Sequence, residues 1–283
     1  MSRRDPILRL LTISLLILSI SGWVAFFSGD KSPITSGGKT FAQGKQGGQG
    51  LEISGSVMKG CTAEKIPVLM YHHIRHCPEG SVCGAKGSVE YGLSVEPELF
   101  EWQMATLRDK GYHSILPSEI ADGRVSCKSF VLTFDDGYDD NLAVLPILHK
   151  YGFRAGFAII IDRVDTGGYM GGSDIVKLKD AGHEILSHSI SHPNLTLLSD
   201  QDLQNELRRS KAALQSAFKT PVHGVVYPSG KYDERVERAA QRAGYRMALT
   251  TVGGWAEIGG NPYTLRRVRM SNTANADLSE VLR

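Results

Sequence analysis

Phe130-Val-Leu-Thr-Phe-Asp-Asp-Gly-Tyr-Asp-Asp-Asn141 is the stretch from which the rest of the chain is read. The apolar run Phe130 to Phe134 has the character of a short buried strand, and Gly137 lets the backbone turn sharply after it. Two adjacent carboxylates, Asp135 and Asp136, therefore fall at the carboxyl end of a strand. There one can ligate a metal and the other can act as a base. An ordinary strand-to-helix turn, with Asp as a cap and Gly relieving strain, is the competing account of the same residues.

A second motif shifts the balance. Ser187-His188-Ser189-Ile190-Ser191-His192 carries histidines at i and i+4. On a helical turn that spacing places both imidazoles on one face, where they can share a metal. Imidazole suits Zn²⁺ and its transition-series neighbours, Co²⁺ and Ni²⁺ among them, and one carboxylate completes a three-ligand set.

TFDDGYDD and HSISH, together with Pro67-Val-Leu-Met-Tyr-His-His-Ile74, resemble the polysaccharide deacetylase family, the NodB-homology carbohydrate esterases. The YHHI opening resembles the branch that includes poly-N-acetylglucosamine deacetylases. The resemblance spans about residues 63–270. It implies a distorted (β/α)7-type barrel with the site at the carboxyl ends of the strands, and metal-dependent removal of acetyl groups from sugars. It assigns Asp135 as catalytic base and Asp136, His188 and His192 as metal ligands. Three protein ligands leave a position open for water, as a catalytic site needs. The metal would acidify that water and polarise the acetyl carbonyl, and an ionised Asp135 would take the proton.

Val226-Tyr227-Pro228-Ser229-Gly230 falls where the family has a proline-containing motif, which makes the N–H of Ser229 the expected oxyanion donor, beside Tyr227 and Pro228. Val226 stands where the family commonly has an arginine that holds the catalytic aspartate. Arg267 resembles a late family arginine that would replace it; alternatively Arg266 and Arg267 are ordinary strand-edge charges. The family's late histidine is also missing, since no histidine follows His223. A leaving amine needs a proton. His72 and His73 end the first expected barrel strand, which adjoins the last in a closed barrel, and alternation lets only one face inward. His72 is the expected acid and His73 a supporting residue. Tyr138, Tyr227 and Trp255 are candidates for stacking on a sugar, although buried aromatics more often belong to a core.

Composition is compatible with an enzyme of this kind. The chain has 283 residues, 41% hydrophobic, and a formal net charge of +2, so it offers no electrostatic footprint for nucleic acid. Arg3, Arg4 and Arg9 flank the nearly uncharged run Leu10 to Ser28. That pattern predicts a signal anchor facing the periplasmic or extracellular side, or a cleaved signal peptide, within residues 1–28. Residues 29–60 are rich in Gly, Ser and Gln and read as a flexible tether, leaving 61–283 as the catalytic domain. Four cysteines fit an exported protein. Cys77 with Cys83 across a compact loop, and Cys61 with Cys127, is one of the three connectivities that four cysteines allow.

Elsewhere strand-like and helix-like segments alternate, as a parallel sheet requires. Helices are expected over Pro97 to Lys110, Leu142 to Tyr151, from a Ser173 cap to before Gly182, from Ser199 to about Phe218, and Asp233 to Ala243. Strands are expected at Ala155 to Ile161, Glu184 to Ser187, Val222 to Tyr227 and Arg246 to Thr250. The expected activity is removal of acetyl groups from N-acetylglucosamine-type residues of an acetylated surface polysaccharide. O-deacetylation of a xylan-type glycan and a non-catalytic, metal-containing glycan-binding module are the alternatives.

Overall fold

The computed structural model describes residues 64–78 and 83–282. Seven parallel strands close a barrel: β1 (Val68–Tyr71), β2 (Ser129–Phe134), β3 (Gly156–Ile159), β4 (Glu184–Ser187), β5 (Gly224–Val226), β6 (Met247–Gly253) and β7 (Leu265–Arg269). Neighbours in sequence are neighbours in the ring, and β7 pairs back onto β1 with Val268 opposite Leu69. The two-residue strand His113–Ser114 lies against β2 outside the ring.

Period-two alternation divides the strand residues between two cores. Leu69, Tyr71, Leu132, Phe134, Phe157, Ile185, Val225 and Val268 face outward and pack with residues of the surrounding helices. Val68, Val131, Ala158, Leu186, Val226, Leu249 and Leu265, one from every strand, meet inside the barrel. Ile66, Ile120 and Ala256 join that inner cluster and close its amino-terminal end, so the interior is a packed plug.

The outer layer includes α1 (Pro97–Asp109), α2 (Val144–Tyr151), α3 (Gly172–Asp180), α4 (200–218) and α5 (Glu234–Arg242). The helices expected from Ser199 and Asp233 begin there, each capped by that residue's side chain, and a π turn at Asn205–Arg209 interrupts α4. Helix α3 departs from expectation. It starts at Gly172, capped from Gly171, whose N–H is taken by the Asp174 carboxylate; Ser173 lies inside. Helix α2 is shorter than expected because residues Asp139–Ala143 form a 3₁₀ turn first.

Cys77 and Cys83 form a disulfide in the segment between β1 and α1. Cys127 is also disulfide-bonded, while Cys61 lies outside the described residues. The apolar run 10–28 and the tether 29–60 lie outside them too. Among the described residues no helix is long and apolar enough to cross a membrane.

Candidate active site

Strand β2 runs straight into the two carboxylates. Asp135 continues its alternation inward, after Val131 and Thr133, and its N–H donates to the Tyr71 carbonyl of β1. Asp136 then takes a left-handed conformation, φ 71°, followed by Gly137 at φ 78°. Two successive positive φ values swing the chain off the strand, and glycine makes the second of them unstrained. A Cβ on Gly137 would also press on the Ile159 side chain.

Asp135 is buried, and the guanidinium of Arg267 grips it with two bonds: Nη1 to Oδ1 at 2.8 Å and Nη2 to Oδ2 at 2.7 Å. Arg267 is itself fully buried and is fixed by Nε–H to the Thr250 carbonyl and Nη1–H to Thr133 Oγ1. Burial alone would raise the Asp135 pKa, but the charge and hydrogen bonds of Arg267 outweigh it and hold the carboxyl below its ordinary value. Val226 therefore leaves no gap: a guanidinium from β7 does the holding, while Arg266 beside it points to solvent.

Asp136 Oδ1 lies 3.3 Å from His188 Nε2 and 3.5 Å from His192 Nε2. One ligand atom from each of the three residues falls within 4.8 Å of the others. His188 Nδ1 lies 2.8 Å from the Val226 carbonyl; as a donor there, it leaves the Nε2 lone pair facing Asp136. This carboxylate-and-two-imidazole set, with its ring orientation fixed from behind, fits a divalent metal.

The two histidines do not ride on a helical turn. Residues 188–194 form a loop in which Ser189 (φ 66°) and His192 (φ 61°) are left-handed, and this folding, rather than i,i+4 spacing, brings the rings to 4.7 Å. The loop is tied by a residue that no motif pointed to. Glu206 of α4 accepts from the N–H groups of Ile190 and Ser191 and from the Ser191 hydroxyl. Its only sequence signal was a carboxylate on an amphipathic helix, which is common on solvated faces.

His72 continues the inward side of β1, with Nε2 3.9 Å from Asp135 Oδ2. Burial pushes its imidazole down to about 4, against the pull of Asp135 and Asp136 and with help from Arg267 and Arg269. Its Nδ1 is buried with no hydrogen-bond partner among the described residues. His73 points elsewhere: Nδ1 meets Asp140 Oδ2 at 2.7 Å, and the ring stacks on Tyr138 at 3.7 Å.

Three aromatic candidates are not free platforms. Tyr138 is sandwiched between His73 and Tyr169, so both ring faces are covered. Tyr227 is fully buried and stacked on Tyr232. Trp255 sits elsewhere, because residues 256–257 turn antiparallel onto Lys65–Ile66 ahead of β1. It lines a cavity of about 460 Å³ with Lys65, Glu257, Arg266 and Glu280, near the amino-terminal end of β1, whereas the carboxylates follow a strand's carboxyl end. Pro228 is buried and Ser229 exposed, in a 3₁₀ turn three residues or fewer beyond the carbonyl that holds His188. Ser229 has φ 52°, and Gly230 follows at φ 67°, where a Cβ would collide with Thr251.

A family model described as polysaccharide deacetylase matches residues 122–248, which contain both carboxylates and both loop histidines. YxkH of Bacillus subtilis, which carries the name polysaccharide deacetylase, is 33% identical over 73% of this chain and 72% of its own. A peptidoglycan-N-acetylglucosamine deacetylase of Bacillus cereus is 31% identical over 43% of this chain and 56% of its own. The solved structure of the Streptococcus pyogenes deacetylase PplD in complex with acetate superposes with a TM-score of 0.71 at 27% identity, covering 77% of this chain and 98% of that one. With the closed parallel seven-strand barrel and the carboxylate and histidine cluster at its mouth, these likenesses establish that the chain belongs to the polysaccharide deacetylase family.

Proposed function

We propose that the domain removes acetyl groups from N-acetylglucosamine-type residues of a cell-surface or extracellular polysaccharide, with a divalent metal held by Asp136, His188 and His192. The observation that carries this reading is the clamp of Arg267 on Asp135. A site that only bound metal would need Asp136 and the two histidines; a second carboxylate kept ionised beside them has a use when a proton must be taken. Two imidazoles and one carboxylate suit Zn²⁺ first, with Co²⁺ or Ni²⁺ as substitutes. Such an ion supplies Lewis acidity toward the acetyl carbonyl and lowers the pKa of water.

The protein's own groups then divide the work. Asp135, ionised through mildly acidic pH, takes the proton of the attacking water. The N–H of Ser229 is the candidate donor to the developing oxyanion. The amine leaves only when protonated, and the proton required is the one Asp135 has accepted. His72, neutral near pH 7 and 3.9 Å from Asp135, is placed to relay it. Acetate and a free amine result. The basic flank and apolar run of residues 1–28 support an exported location, anchored in the membrane or released after cleavage, and either suits a surface polymer.

One observation favours a second reading. A His72 held to a pKa of about 4 is seldom protonated near neutral pH and so is rarely available as an acid. An ester demands less protonation of its leaving group than an amide, so an O-acetyl glycan is the alternative substrate. Acetate release from N-acetylglucosamine oligomers and from acetylated xylan, measured with Zn²⁺ or Co²⁺, separates the two. Release from the amide is expected. Release from the ester alone transfers the function to an esterase, and silence on both with metal bound points to a glycan-binding module.

A further inference from the structure

The inner face of β7 carries Leu265, Arg267 and Arg269 at period two. Leu265 belongs to the apolar cluster inside the barrel, and Arg267 reaches inward to Asp135. Arg269 is therefore the next inward residue toward the mouth. On β1, which pairs with it, and on β2 beyond β1, the matching series are Val68, Met70, His72 and Val131, Thr133, Asp135. Arg269 pairs with Met70, which in turn pairs with Thr133, so it lies one alternation step below His72 and Asp135 on the same inner face. The same proximity is visible in its electrostatics. Burial and the neighbouring Arg267 depress its pKa, Asp135 opposes them, and its charge in turn acts on His72.

Unlike Arg267, this half-buried guanidinium has no carboxylate partner and donates no hydrogen bond among the described residues. Both facts matter to its cost. A cation partly withdrawn from water and set beside another cation is unfavourable unless an anion meets it. The carboxylate whose charge acts on it, Asp135, already has both oxygens engaged by Arg267. A divalent ion at the three-ligand cluster would add positive charge beside Arg267 and Arg269.

From this placement we infer that Arg269 is a specificity-determining residue, which receives an anionic oxygen group of the polymer, a carboxylate or a phosphate, next to the acetylated sugar. The inference deepens the deacetylase reading and rests on it only for the position of the sugar. Guanidinium offers paired N–H donors that match both kinds of group, which is why it is preferred over lysine for the task.

The test is a binding measurement on the full chain loaded with Zn²⁺, in an Asp135→Asn background so that no probe is consumed. Three probes are compared by calorimetry: the N-acetylglucosamine trisaccharide, the same trisaccharide carrying a 6-phosphate, and one ending in glucuronate. At least one charged probe is expected to bind tenfold or more tightly than the neutral one, with the preference shrinking as salt is added. Arg269→Gln should erase that preference and Arg269→Lys should keep part of it. The phosphate and glucuronate arms identify which anion is favoured. Equal affinities for all three probes, or a preference that survives Arg269→Gln, overturns the inference. Failure of acetate release would instead break the deacetylase reading and leave this binding result decided on its own.

Discussion

The barrel has two interiors along one set of strands. At the amino-terminal end, Val68, Val131, Leu186, Leu249 and Leu265 fill the space with apolar side chains and bury no charge among themselves. One or two alternation steps later the same inward positions hold His72, Asp135, His188, Arg267 and Arg269. The lower half sets the ring's geometry by close packing. The upper half uses that rigidity to hold charges that would not stay buried unless each found a partner. Arg267 joins the two halves, because its own strand neighbour Leu265 is anchored in the plug while its guanidinium fixes the base.

That contrast can be broken from the top downward. His188→Ala removes a ligand and should abolish stoichiometric metal binding and lower acetate release by about 10³-fold or more, read by metal content and turnover. Arg267→Met leaves Asp135 buried and unpaired, at a cost of about 3–5 kcal/mol by denaturant unfolding. It should also move the acidic limb of the rate profile to higher pH, because burial then raises the carboxyl with nothing to hold it down. Leu249→Ala, in the plug, should cost about 2–5 kcal/mol of stability by the same measurement. Its acidic limb should stay where the parent's is, since Asp135 keeps its clamp.

The smallest effect is expected at a polar exception in the lower half. Glu184 opens β4, is buried, and has one oxygen without a partner; burial pushes its carboxyl up to about 7, although the Ser118 N–H bonds the other oxygen. A raised carboxyl favours the protonated native state, so its contribution is fully present below about pH 4.5 and is lost as pH rises through 7. Glu184→Gln should stabilise the protein by up to about 3 kcal/mol at pH 8 and hardly at all at pH 4, in paired melting curves.

What the sequence disclosed followed from how local each feature is. Asp135 and Asp136 sit in one contiguous motif and the two histidines in another, and strand–helix alternation marks a parallel sheet, so each could be read in place; closure into a barrel was what the family resemblance implied. The path of the histidine loop could not, because it depends on left-handed Ser189 and His192 and on a distant carboxylate, Glu206. Arg267 was legible only as a candidate, since its pairing with Asp135 joins residues 132 positions apart. Alternation along β1 turns His72 toward Asp135 and His73 toward Asp140. Alternation gave no help with the aromatic residues. The covered faces of Tyr138 come from tertiary stacking, and the displacement of Trp255 comes from the irregular register of β6 against β7 and the return of residues 256–257 onto 65–66.

Asp135 acts as a base distinct from the metal site beside it in the proposed mechanism. Acetate release and Zn²⁺ occupancy measured together in Asp135→Asn test this most directly, since the amide keeps the shape and cannot take the proton. Full metal occupancy is expected, with turnover reduced by roughly three orders of magnitude, the scale of general-base catalysis. Turnover near the parent's with metal bound would contradict it, and so would loss of the metal, which would make Asp135 a ligand.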